Sequence, residues 1–488
     1  MKKRILTLVA ALSAAVLLAA CGDKPPAVTT TDTSAGDTSV TDADTLGIPE
    51  TADYGGEAFN ILSAGNVAYA DFTADETAST PLDSAQYKRK ALVEQNYGVK
   101  IAETVEKAYS SGGGPGYKRL STDANAGDCN FDLALVAGYD VTVLAYSDYL
   151  YDLASIPGID LSKSWWDKRA NENLAVRGVM FFTTGEITVS DNDVAFVILF
   201  NKELRKAYDL NDPYSLVYDG EWTLDTFGAL CKTVTEDLDQ NGIMDANDRF
   251  GVLVWDDSVV GIVNAAGQRC CTIAEDGTIG LTLYNETTLA ALDKYFSIIY
   301  DTQYALTYQR EKVDPLEMWQ ADKGLFWMNT MTRIPQLRGM ESDFGILPYP
   351  KLNAEQQDYY TTVAPYNSQF VCVPLIQKDI ERTGIITEAL AYYGEKIVTP
   401  AYYDVNLVGQ STRDEESADM LEIIFDNLVF DIGYYYQVGP YNKQLIRMVQ
   451  ERDTNFTSMY DSYKTSAERL LTVINTYYAK AVSGWEKQ

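Results

Sequence analysis

The sequence predicts an α/β fold, and three stretches near the start of its folded part carry that reading. Ala58 to Ser63 is a short apolar run, Val99 to Val105 alternates, and Phe131 to Ala137 is again apolar. Between them, Ser84 to Tyr97 has helical periodicity and is closed by Gly98, and Gly116 to Ala126 suits a second helix. Strands alternating with helices at this spacing indicate βαβ units and a mainly parallel sheet.

Further along, Phe196 to Phe200 is a strongly apolar run. Thr223 is placed to cap a helix that starts at Leu224, because its hydroxyl can accept from a free amide of the first turn. Leu289 to Tyr300 is an amphipathic helix, and Gly345 to Pro350 a short strand stopped by prolines. After Thr387 the chain reads as mostly helical, including Ser417 to Leu428 and Asn455 to Tyr478, and no internal repeat is present.

The N-terminal end has its own logic. Lys2, Lys3 and Arg4 precede an apolar run from Ile5 to Ala20, which stops at Leu18-Ala19-Ala20-Cys21-Gly22. A positive start, an apolar middle and small residues at a cleavage point describe a secretory signal over residues 1–20. Residues 21–53 are rich in Thr, Asp, Ser, Ala, Gly and Pro, too polar to offset their ordering entropy, and are expected to form a disordered tether. The remaining about 435 residues suit two or three domain-sized units.

Composition excludes several chemistries. A formal net charge of −31 lacks the basic footprint of nucleic-acid binding and suits a self-repelling surface, so a monomer with no nucleic-acid partner is expected. The chain contains 0 histidines, which removes Ser-His and Cys-His nucleophiles and imidazole-bound metals. Beyond Cys21, the five cysteines Cys129, Cys231, Cys270, Cys271 and Cys372 are odd in number and sparse, more typical of buried small apolar residues than of a disulfide framework.

The strongest local motif runs from Asp237 to Asp248. Asp237, Asp239, Asn241, Asp245 and Asp248 place oxygens at positions 1, 3, 5, 9 and 12, Gly242 takes the turn at position 6, and Ile243 would offer its carbonyl. Ca²⁺ takes six to eight oxygens around one tight loop, so this spacing predicts a structural calcium site. Asp248 stands where such loops usually carry a longer glutamate; an acidic turn without metal is the other reading. Gly112-Gly113-Gly114-Pro115-Gly116 lacks the Gly-Lys-Ser/Thr ending of a phosphate loop and reads as a flexible surface turn.

Several residues suit sugar recognition. Trp165 and Trp166 offer indole platforms for apolar C–H faces, or else pack the domain. Trp255 ends a strand-like run and is followed by Asp256 and Asp257; Tyr366 and Asn367 offer one ring and one amide. Trp222 reads as a core anchor. A competing reading is a secreted glycoside hydrolase using two carboxylates such as Glu186 and Asp191, and a third is a binding protein for a peptide or polyamine.

Taken in order, Leu18-Ala19-Ala20-Cys21, Phe200-Asn201-Lys202-Glu203-Leu204, Glu221 to Phe227, the acidic loop Asp237 to Asp248, Phe344 to Lys351 and Thr412 to Leu421 resemble the lipid-anchored extracellular solute-binding proteins of carbohydrate ABC transporters. The resemblance implies a bilobed type II periplasmic-binding-protein fold: two α/β lobes joined by hinge crossings, with C-terminal helices. It implies lobe 1 over 54–190, lobe 2 over 191–338, a return to lobe 1 over 339–372, and a helical region over 373–488 packing across both. Crossings are expected near Thr188–Ala195 and Thr362–Phe370. It further implies lipid on Cys21, a membrane anchor on the outer face of the cell, a carbohydrate held between the lobes without chemistry, and delivery to permease subunits. Asp191, Asn192 and Asp193 lie where relatives contact sugar hydroxyls. Trp327 lies in a segment similar to the family's Gly-x-x-x-Met, although Thr332, Arg333 and Ile334 occupy the places where many relatives carry a stacking tryptophan.

Overall fold

A computed structural model describes residues 45–485 except 68, 75, 76, 78, 79, 338 and 404–414. Strands β1 (Glu57–Gly65), β2 (Val99–Lys107) and β3 (Leu133–Ala137) are parallel, with β1 between the other two. All five residues of β3 are buried, as expected of a parallel strand covered on both faces. The helix between β1 and β2 spans Pro81–Tyr97, three residues earlier than its periodicity suggests. Thr80 and Asp83 form a reciprocal capping box there, with Pro81 at the first helical position. It ends at Gly98, whose φ of 60° lies in the left-handed region that glycine enters without strain.

A second sheet holds β4 (Phe196–Asn201), β5 (Phe250–Val254), β8 (Ala305–Thr307), β9 (Gly324–Thr330) and β10 (Phe344–Leu347), in the order β10-β4-β9-β5-β8. Between β5 and β8 lies a small hairpin of β6 (Cys271–Ile273) and β7 (Ile279–Leu281). Strands β5, β8 and β9 run parallel, and β4 is antiparallel to both β9 and β10. This placement corrects one boundary. Phe344–Leu347 pairs with β4, so residues from 339 do not yet return to the first sheet; that return comes at β12 (Gln369–Cys372), antiparallel to β3.

Short extended segments join the two sheets. Thr183 bridges Val371, Ala195 bridges Val363, and Ala364 donates to the carbonyl of Val194 at 3.3 Å. A third segment lies beside them: β11 (Thr361–Thr362) pairs in parallel with β13 (Leu428–Val429). The last helix packs on the segment before the first crossing and on the β6–β7 hairpin. Tyr478 packs on Phe181 at 5.4 Å, and Asn475 bonds both backbone groups of Ile279.

Two further expectations need correction. The disordered tether does not extend to residue 53: Ile48 is buried, the Pro49 carbonyl accepts from the Tyr97 hydroxyl at 2.9 Å, and Ala52 donates to Asn96 at 3.0 Å. Leu46, Ile48 and Ala52 pack this end of the polar run onto the core. The glycine-rich turn is not loose either. Asp140 accepts from the amides of Gly112 at 3.1 Å and Gly114 at 2.9 Å, so a carboxylate of the protein occupies the donors a phosphate would use. Cys129, Cys231, Cys270, Cys271 and Cys372 are all free thiols, and only Cys129 is exposed.

Candidate functional site

In open α/β sheets, the crevice beyond the carboxyl ends of parallel strands is where ligands bind, because short loops there present side chains and free amides. Both sheets of this chain supply such loops. After β1, β2 and β3 come Asn66, Tyr109 and Tyr139; after β5, β8 and β9 come Trp255 to Asp257, Tyr308 and Arg333. Tyr366 and Asn367, on the segment returning to β12, join the first group: the Tyr366 ring lies 5.5 Å from Tyr109 and 6.4 Å from Tyr139, and Asn66 donates to Asn367 at 3.0 Å.

The second group is tightly braced. Gln309 accepts from the Asp256 amide at 2.9 Å, Asn329 donates to the Tyr308 hydroxyl at 2.9 Å, and Trp255 packs on Phe196 at 4.9 Å. The groups meet electrostatically. Burial, and then the Asp257 carboxylate, push the Tyr139 hydroxyl above its ordinary range. Tyr366 is raised by burial, then Tyr109, then Asp257. Asp257 itself is pushed up to about 7 by burial and by Asp256 beside it. A helix of the C-terminal region, Tyr441–Glu451, spans the two sides: Asn442 donates to the Tyr139 hydroxyl and Gln450 to Asp256.

Of the residues singled out in the sequence, Trp255, Tyr366 and Asn367 stand in this region, each half-buried. Trp165 and Trp166 do not. Both are buried, and their indole N–H groups donate to the two oxygens of Glu388, at 3.0 and 2.9 Å. Trp327 is buried against Trp319 at 5.7 Å, and Trp222 is a core anchor donating to the Pro348 carbonyl. No indole face of these four is open to a ligand.

Asp191, Asn192 and Asp193 lie on the first crossing. Asp191 accepts from Thr184 and from the Asn192 amide, and Asp193 accepts from Tyr402 at 2.8 Å. Glu186, on the same stretch, accepts the Thr399 hydroxyl. Burial pushes Glu186 up to about 7, Asp193 up to about 6, and Asp191 well above the usual carboxylate range. Both carboxylates of the hydrolase reading are thus committed to internal hydrogen bonds rather than turned to a substrate.

The acidic loop brings the carboxylates of three of its expected donors together, while the Asn241 side-chain oxygen accepts from the Ile243 amide at 2.7 Å and an Asp245 oxygen from the Asn247 amide at 2.8 Å. Carboxylate oxygens of Asp237, Asp239 and Asp248 lie within 4.8 Å of one another. Gly242 turns the chain at φ 82°, and its amide donates to Asp237 at 2.8 Å. Asp248 is buried, yet as a carboxylate it accepts from the amides of Leu238 and Asp245. Three converging carboxylates repel unless a cation joins them, so the donor set fits Ca²⁺. Cys21 lies outside the described residues.

Asn66, Tyr109, Tyr139, Asp257 and Tyr308 were not anticipated. Their signal is positional: each sits within three residues of the end of a strand, a place that periodicity alone does not mark as chemical.

No protein-family model and no curated protein sequence matches the chain. Solved structures do. The galacto-N-biose-/lacto-N-biose I-binding protein of the ABC transporter from Bifidobacterium longum, in complex with lacto-N-biose, aligns with TM-score 0.57 at 12% identity over 86% of this chain and 98% of that one. The cyclic α-maltosyl-1,6-maltose binding protein from Arthrobacter globiformis gives TM-score 0.57 at 12% identity, covering 86% and 99%. An ABC substrate-binding protein from Listeria monocytogenes, in complex with cycloalternan, gives 0.54 at 13%, covering 86% and 99%. Shared architecture over this much of each chain gives the conclusion that the protein has the bilobed α/β fold of the solute-binding proteins of sugar ABC transporters.

Proposed function

We propose that this chain is an extracellular, lipid-anchored solute-binding protein that captures a carbohydrate between its lobes and passes it unaltered to an ABC permease. The observation carrying the reading is the set of aromatic and polar side chains at the strand ends of both sheets, linked by helix Tyr441–Glu451, whose Asn442 donates to the Tyr139 hydroxyl and whose Gln450 donates to Asp256. Rings that stack on C–H faces, bordered by carboxylates and amides, suit a polyol. The three neighbours named above are a protein in complex with lacto-N-biose, a binding protein for cyclic α-maltosyl-1,6-maltose and a protein in complex with cycloalternan. The anchor rests on the Leu-Ala-Ala-Cys21 sequence; among the described residues, no helix is long and apolar enough to cross a membrane. Two or three acyl chains hold durably, since each buried CH₂ contributes roughly 0.8 kcal/mol.

A glycan-library thermal-shift screen tests this. At least one saccharide is expected to raise the melting temperature in proportion to the logarithm of its concentration, as binding to the native state requires. Hydrolysis of an oligosaccharide by pure protein would overturn the transport reading.

The second part of the proposal is structural calcium, held by Asp237, Asp239, Asn241, Asp245 and Asp248 with the Ile243 carbonyl. Bound there, Ca²⁺ supplies charge neutralisation only. EDTA is expected to lower the melting temperature, Ca²⁺ to restore it, and Asp239→Ala to abolish the response. An unchanged melting curve in EDTA removes calcium from the account.

A further inference from the structure

Asn241-Gly242 is the only Asn-Gly pair in the sequence of 488 residues, and both residues are exposed. A glycine after an asparagine leaves its peptide nitrogen unshielded, and a Cβ at Gly242 would have no neighbour within 4 Å. In such a pair the glycine nitrogen can attack the asparagine side chain. The nitrogen gives its proton to solvent and bonds to Cγ. The Cγ–Nδ2 bond then breaks, and the nitrogen it frees takes a proton from solvent and leaves as ammonia. Water opens the resulting succinimide at either carbonyl, which gives aspartate or isoaspartate.

The closed loop opposes this step at each reacting atom. A peptide unit is planar, so the new N–Cγ bond must take the direction that the N–H now holds. The Gly242 N–H points at Asp237 instead, donating to its carboxylate at 2.8 Å. The Asn241 side chain is pinned at both atoms of its amide. Its Nδ2 donates to Asp239 at 2.9 Å, and its Oδ1 accepts from the Ile243 amide at 2.7 Å. Ring closure has to break these bonds together. The backbone amide of Asn241 adds contacts to Asp237 at 3.2 Å and to Asp239 at 3.1 Å. Once formed, the product does not fit the loop. Aspartate puts a fifth carboxylate among Asp237, Asp239, Asp245 and Asp248, and isoaspartate inserts a methylene into the main chain.

We infer that Asn241 is a one-way modification site: it deamidates in molecules whose loop has opened, and Asp237 and Asp239 keep it intact while the loop is closed. The site is independent of bound calcium and of the transport ligand, so it is tested in EDTA without sugar. The full chain is held in mildly alkaline buffer at physiological temperature, either folded or unfolded in guanidinium chloride. Peptide mapping follows aspartate and isoaspartate at residue 241. The unfolded chain is expected to convert there, and the folded chain about tenfold or more slowly, the factor that about one hydrogen bond to a charged group supplies. Asp237→Ala is expected to speed the folded chain by about tenfold. Asp239→Ala is the second variant should the first fail to fold, and a melting curve of each establishes that it is folded. Equal rates in the folded and unfolded chains overturn the guarding role, and so do folded variants that convert no faster than wild type. An intact Asn241 in the unfolded chain overturns the site itself.

Discussion

Glu388→Ala is expected to destabilise the protein by about 2–5 kcal/mol, because each buried donor left without a partner costs about 1–3 kcal/mol. The carboxylate serves two neighbours at once: Trp165 and Trp166 each donate to one of its oxygens, and Tyr392 packs edge-on against Trp165 at 5.2 Å. Truncation strands both indole N–H groups in a site that water does not reach. Relief of the burial that pushes Glu388 up to about 7 offsets part of the loss. Glu388→Gln is the sharper probe. A glutamine keeps one carbonyl acceptor and turns an NH₂ toward the second indole, so it too should destabilise, by about 1–3 kcal/mol. Urea unfolding of both variants measures the effect; midpoints equal to wild type would show that the carboxylate does not hold the pair.

Stability is expected to fall as pH rises from about 4.5 to about 8, opposite to the usual behaviour of carboxylates in ion pairs. The cause is the crowd of acids along the first crossing. Glu186 is raised by burial, then by Glu395 and Asp167, while the Thr399 hydroxyl opposes the shift. Asp191 is raised by burial, Asp167 and Glu186; Asp193 by burial, with Tyr402 and Tyr69 bonding to it; Asp167 is pushed up to about 6, again by burial. A carboxyl raised in the folded state keeps its proton where the unfolded chain has released it. The native form therefore binds more protons through the window between the two pKa values, and stability drops as pH climbs through it. A displacement of one pH unit in one group is worth about 1.4 kcal/mol, so together these acids amount to a few kcal/mol. The melting temperature should be higher at pH 5 than at pH 8, and Glu186→Gln should flatten the upper part of the fall. A melting temperature that rises steadily to pH 8 would be incompatible with this reading.

The fold was legible where local and tertiary signals agree. The apolar runs at β1, β3 and β4, the stop at Gly98 and the cap at Thr223 each encode one element through chemistry carried within a few residues. Membership in a sheet is not local. Nothing in Phe344-Gly345-Ile346-Leu347 states which sheet it joins, and that pairing is decided by the partner strand β4, almost 150 residues earlier. The candidate site is a different case. Trp255, Tyr366 and Asn367 could be named from the sequence as candidates because an aromatic or amide beside a strand end or crossing stands out. Trp165 and Trp166 pointed elsewhere, since two adjacent indoles read equally as a platform or as a buried pair. What decides between those readings is Glu388, an acceptor more than 200 residues away. The proposed calcium loop was legible as a motif because all its candidate oxygens come from one turn.

The connection between the sheets has three members, not two, since Val363 donates to Val429 at 3.1 Å while it also bridges Ala195. A three-ply ribbon resists splay far more than a pair of independent tethers, because its middle ply must shear against both flanks. Rotation of one half against the other is expected to run as a twist along the ribbon's long axis. A fluorophore pair across the halves should then report a single narrow arc of distances rather than a broad swing.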